Sequence, residues 1–170
     1  MSDISMTLPR VQSRGLSDLA RKMLSQLVLL FSLWIGIGAI SPLVAGEEKE
    51  MEEALLKLSK PHEKAGFDFR ADIWQRELQP EMGKAVRIQM FKGNEYRVCI
   101  AVAPSSGVKV AAHVLDFEGK AIETKTETTD DGSGTTLHVK PKSTGVYLVV
   151  VRHAGGEKHK AVCGMITGYR

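Results

Sequence analysis

Over most of the chain, apolar and polar residues alternate in short runs separated by turn residues. "FDFRA" sets Phe67, Phe69 and Ala71 against Asp68 and Arg70, the period of a half-buried strand. After an ambiguous stretch holding Trp74 and Leu78, "AVRIQMF" repeats the pattern through Val86, Ile88 and Met90. "EYRVCIAV" puts Tyr96, Val98, Ile100 and Val102 on one face, and the intervening Lys-Gly-Asn predicts a hairpin. "VKVAAHVLDF", "AIETKTETT" and "TLHVKP" follow, punctuated by "EGK" and "DDGSG". "TGVYLVVV" and "AVCGMITG" close the chain, and their spacing predicts a second hairpin with a Gly-Gly tip. In "TGVYLVVV" apolar residues fall on both faces, so this strand should be central or shielded by a helix. About eight strands at intervals of 8–12 residues, with no helical pattern between them, predict an all-β antiparallel β-sandwich over 65–170.

The N-terminal third departs from this rhythm. Arg21 and Lys22 precede an apolar run from Leu27 to Ile40, then Ser41-Pro42, then the small residues Val44, Ala45 and Gly46. A basic flank, an apolar run and a small-residue exit make residues 1–46 an export segment, cleaved after Gly46 or Ala45. Retained instead as an anchor over 24–45, it would be short against the roughly 20 apolar residues that a bilayer core requires. The flank before Arg21 is long and polar, which leaves Met6 or Met23 as other starts. Next, "EEKEMEEALLKLSKP" sets Met51, Leu55 and Leu58 on one helical face, with Pro61 as its stop. The expectation over 47–64 is a short amphipathic helix whose apolar face lies on the sandwich, followed by a linker.

Charge adds little. The chain holds 23 basic and 20 acidic residues; without residues 1–46 the counts are 19 and 18, a net of +1. Nothing in that balance asks for nucleic acid. At 43% hydrophobic and 25% charged, the composition is that of an ordinary globular domain.

Several turn positions carry a resemblance. Gly93 and Tyr96, Asp116 and Gly119, and then Pro141, Thr144, Gly145 and Tyr147 fall in the order "G-x-x-Y", "D-x-x-G" and "P-x-x-T-G-x-Y". Over about residues 67–170 the chain resembles the bacterial pre-peptidase C-terminal domain. The resemblance implies a secreted β-sandwich of jelly-roll type, a fold that usually rides on a larger enzyme.

Candidate chemistry is sparse. His153, Glu157 and His159 flank the Gly-Gly tip and form a possible zinc set of two imidazoles and a carboxylate. His113 reads as packing, and His62 and His138 have no evident companions. Asp130 to Gly134 could suggest calcium, but the alternating oxygen ligands of a calcium loop are missing, and Asp-Gly favours a turn. No nucleophile elbow, phosphate-binding glycine loop or CxxC pair is present. Two cysteines in an exported chain favour a Cys99–Cys163 disulfide over two buried thiols. Such a bridge would lie on the less apolar face of its strand, under the helix, and would be worth roughly 4 kcal/mol.

The sequence reading is therefore an exported, non-catalytic binding or structural module, periplasmic or extracellular, with a protein or polysaccharide partner and no cofactor. A membrane-anchored surface protein and a small metal-dependent hydrolase are its two rivals.

Overall fold

Strand alternation becomes two stacked antiparallel sheets in the computed structural model, which describes residues 42–80, 82–156 and 160–170. Of the expected export segment 1–46, residues 1–41 lie outside the described residues, as do Glu157 and His159. Among the described residues an α-helix, α1 (Pro42–Lys64), precedes nine strands, with a 3-10 turn at Pro104–Ser106. These are β1 (Asp68–Phe69), β2 (Trp74–Leu78), β3 (Lys84–Met90), β4 (Tyr96–Val102), β5 (Lys109–Leu115), β6 (Lys125–Thr128), β7 (Gly134–Val139), β8 (Gly145–Gly155) and β9 (Ala161–Tyr169). The larger sheet has the order β1-β9-β4-β7-β6, with β2 also paired to β9; the smaller is β3-β8-β5.

The predicted faces hold, and two predicted pairings do not. β3 pairs with β8, and β4 pairs with β7 and β9, so the Lys-Gly-Asn turn crosses between sheets instead of closing a hairpin. β8 and β9 likewise lie in opposite sheets. Alternation fixes which side chains face inward; it does not select the partner strand. β8 is central, flanked by β3 and β5, with Tyr147, Val149 and Val151 buried. Among the described residues no helix shields its other face, because α1 lies on the larger sheet. The "DDGSG" hairpin does form, pairing β6 with β7.

The sandwich core comes from the inward faces: Val98, Ile100 and Val102 of β4, Leu137 and Val139 of β7, Val149 and Val151 of β8, and Met90 and Val114 opposite them. Two tyrosines of the turn motifs lock chain reversals from within this core. The Phe91 amide donates to the Tyr96 hydroxyl at 2.8 Å, across a turn in which Gly93 has φ 99°. The Tyr147 hydroxyl donates to the Ser143 carbonyl at 2.8 Å. A buried phenol needs such a partner, so each turn is tied to the core through a ring. At the Asp116–Gly119 turn, Asp116 Oδ1 accepts the amides of Glu118 and Lys120.

On the outer face of the larger sheet, Met51 and Leu55 of α1 bury against Cys99, Ala101 and Ile166. The backbone of β9 is bare there: a Cβ on Gly164 would overlap the Met51 sulfur and stand 2.7 Å from Leu55 Cδ1. The helix is longer than its sequence signature at both ends. Pro61 has no N–H to return to the Lys57 carbonyl, yet the helix continues past it to Lys64.

This layering overturns the expected disulfide. Both cysteines are free and buried. In the β4–β9 register Cys99 stands opposite Ile166, and Cys163 opposite Val102. Successive strand residues point to opposite faces, so Cys99 faces the helix while Cys163 faces the sandwich core. The sheet lies between the two sulfurs. Cys99 does sit under the helix; Cys163 does not join it there.

Candidate functional site

Where the end of α1 meets β6 and β7, three residues with ligand chemistry come together. His62 comes from the last turns of α1, Glu127 from the edge strand β6, and His138 from β7. Lys125 is the direct cross-strand partner of His138, and Glu127 that of Thr136, so Glu127 and His138 are diagonal neighbours on one face. Their ligand atoms and that of His62 all lie within 4.8 Å of one another. His138 Nε2 is 3.3 Å from Glu127 Oε1. At this approach Nε2 makes no hydrogen bond and is buried without a hydrogen-bond partner. The two imidazoles meet edge to face, ring centres 5.5 Å apart at 88°.

Phe67 walls one side. His62 packs edge-on to it, and the Arg97 and Arg170 guanidiniums lie over its ring at 4.3 and 4.6 Å. Arg97 is also the cross-strand partner of His138 on β4. Burial first, and the Arg97 charge second, lower the pKa of both His62 and His138 below the ordinary imidazole value. Glu127 is lowered mainly by Lys125, whose ammonium stands 2.8 Å from its carboxylate. At neutral pH the set is thus two uncharged imidazoles and one carboxylate.

A cleft of about 210 Å³, lined by His62, Glu127, Pro61 and Thr136, opens beside the three residues. It shares Lys57, Leu58 and Thr129 with a groove of about 780 Å³ between α1 and the β6–β7 turn. The groove floor is apolar, with Ala54, Leu58 and Pro104, and its rim carries Glu50, Glu53, Asp130 and Asp131 beside Lys57, with Lys49 paired to Glu53 at 4.0 Å. Asp131 is occupied by its own turn. It accepts the Ser133 amide at 3.0 Å and the Thr129 hydroxyl at 2.6 Å, while Gly132 takes φ 74°. Those hydrogen bonds lower its pKa.

The sequence-derived candidates are dispersed. His153 is half-buried on β8 and accepts the Gly155 amide through Nδ1 at 3.2 Å. Its companions Glu157 and His159 lie outside the described residues. Cys99 and Cys163 are inert by burial, which pushes their thiols up to about 11 and about 12. Sequence reasoning missed the His62–Glu127–His138 group. The "DDGSG" turn fixes the β6–β7 register and so contained the Glu127–His138 diagonal; the reach of His62 depended on the helix continuing past Pro61.

No protein-family model matches the chain, and no curated protein matches it.

Proposed function

We propose that this chain is an exported, non-catalytic β-sandwich, of jelly-roll type, that serves as a binding module of the cell envelope or extracellular space. Support for the jelly-roll reading is the way successive strands from β2 to β9 alternate between the sheets, β6 excepted. Support for export is the basic, apolar and small-residue order of residues 21–46. A tie to the pre-peptidase C-terminal domain is part of the same proposal, supported by the locks that Tyr96, Tyr147 and Asp116 form at its turn positions.

The groove between α1 and the β6–β7 turn is the observation that carries the binding role. An apolar floor under an acidic rim suits a cationic peptide segment with one apolar anchor, a protein partner in preference to a neutral polysaccharide. Several buried hydroxyls are committed to structural hydrogen bonds, which favours binding over catalysis. Ser106 donates to the Ala103 carbonyl, Ser133 to Asp131, and Thr136 to the Cys99 sulfur.

A backbone-resolved NMR titration with a lysine-rich peptide holding one leucine tests this reading, with a glutamate-rich peptide as control. The expected result is salt-sensitive shifts at Glu53, Ala54 and Asp130 with the basic peptide alone. Equal response to both peptides, or shifts confined to the smaller sheet, would overturn it.

A further inference from the structure

We propose that His62, Glu127 and His138 form a binding site for a divalent transition metal of the zinc class, joining the end of α1 to the exposed edge of the larger sheet. The ligand types select the metal. Two imidazoles and a carboxylate suit zinc and its neighbours, whereas calcium and magnesium demand oxygen ligands. The size also fits. Ligands at about 2.0–2.2 Å in a tetrahedral shell lie about 3.3–3.6 Å apart. His138 Nε2 and Glu127 Oε1 are already 3.3 Å apart, and the whole set falls within 4.8 Å. Closure onto a metal therefore asks mainly for a movement of His62, half-buried on the last turns of α1.

The surroundings also provide for the binding state. Among the described residues two buried side-chain polar atoms, His138 Nε2 and Arg97 Nε, have no hydrogen-bond partner, and of the two the imidazole nitrogen is a metal ligand. Lys125 is 71% exposed and free to swing off Glu127. Arg97, the cross-strand partner of His138, is a like charge that a bound cation would have to tolerate. Three protein ligands leave a fourth position, and the 210 Å³ cleft lined by His62 and Glu127 gives water access to it. The site borders the acidic groove but does not rest on the groove's having a partner.

The test is zinc binding by the full-length chain, stripped with a chelator and then measured by competition with a chromophoric chelator and by metal analysis after dialysis. One zinc per chain is expected, no calcium, and a cobalt(II) spectrum of tetrahedral type. Glu127→Gln and His62→Ala should each weaken zinc by more than the about 10–100-fold that losing a supporting partner costs. His153→Ala should leave affinity unchanged. Glu127 is exposed on an edge strand, so E127Q keeps its far-ultraviolet circular dichroism and decides the matter even if H62A does not fold. Failure of the parent chain to take up zinc, or unaltered affinity in E127Q, overturns the proposal. Loss of zinc in H153A would also overturn it, by moving the site to the β8–β9 tip.

Discussion

Between the two sheets, Val98, Ile100, Val102, Leu137 and Val149 interdigitate from strands on both sides. Across the same larger sheet, Met51 and Leu55 reach Cys99, Ala101 and Ile166 from a single helix. The first layer is built from large β-branched and leucine side chains held by two hydrogen-bonded walls. The second is thin and depends on what is missing, since Gly164 makes room for Met51 and Gly134 stands where a Cβ would come 3.0 Å from Leu58 Cδ1. A wall that is one helix can shift to fill a gap; a wall that is a sheet cannot do so without breaking its ladder. The two layers should therefore answer the same insult differently, and the His62–Glu127–His138 group sits on the more yielding one.

The largest expected effect is in the sandwich core. Leu137→Ala should cost about 3–5 kcal/mol, because Leu137 is fully buried between sheets that cannot close on the cavity. Leu55→Ala removes an equally buried side chain but should cost only about 2–3 kcal/mol, as α1 settles toward the sheet. Urea unfolding with an unchanged m-value checks both, and a larger loss at Leu55 would invert the ranking of the layers. Smaller again is Gly164→Ala, at about 1–2 kcal/mol through overpacking against Met51. Combining it with Met51→Ala should cost less than the two single losses together, because the sulfur it collides with is gone. Additive losses would mean that the helix does not approach β9 there.

The thiols give the mildest effect, and it has a definite sign. Burial holds Cys99 and Cys163 at about 11 and about 12 against an ordinary value of 9.0. The folded state thus keeps protons that the unfolded chain gives up. Their contribution is complete below about pH 9 and fades as pH rises through the folded values. The alkaline decline in melting temperature should be shallower in Cys99→Ala/Cys163→Ala than in the parent chain. An identical decline would contradict this assignment of the thiols.

The contrast also explains what could be read from the residues alone. Period-two alternation placed Tyr96, Val98, Ile100 and Val102 on one face and set Cys99 on the other, under the helix, as found. Period-four spacing placed Met51 and Leu55 together. Pairing was not legible, because a turn such as Lys92-Gly93-Asn94 serves a hairpin or a crossing between sheets equally well. The face of Cys163 was lost for a related reason. "AVCGMITG" is apolar on both sides and bounded by glycines, so its alternation does not mark the inner face. Glu127 and His138 were readable as a diagonal of one hairpin, but His62 arrives from a distant element that Pro61 was expected to end.

The central claim is that one sheet separates two hydrophobic layers, with a cysteine in each. Timed alkylation of the native, unreduced protein, followed by peptide mapping, tests it most directly. Undocking α1 exposes Cys99 alone, whereas Cys163 becomes reachable only when the sandwich itself opens. The account predicts two free thiols that react separately, Cys99 first and Cys163 at the rate of global unfolding. A linked Cys99–Cys163 peptide, or Cys163 reacting ahead of Cys99, would contradict it.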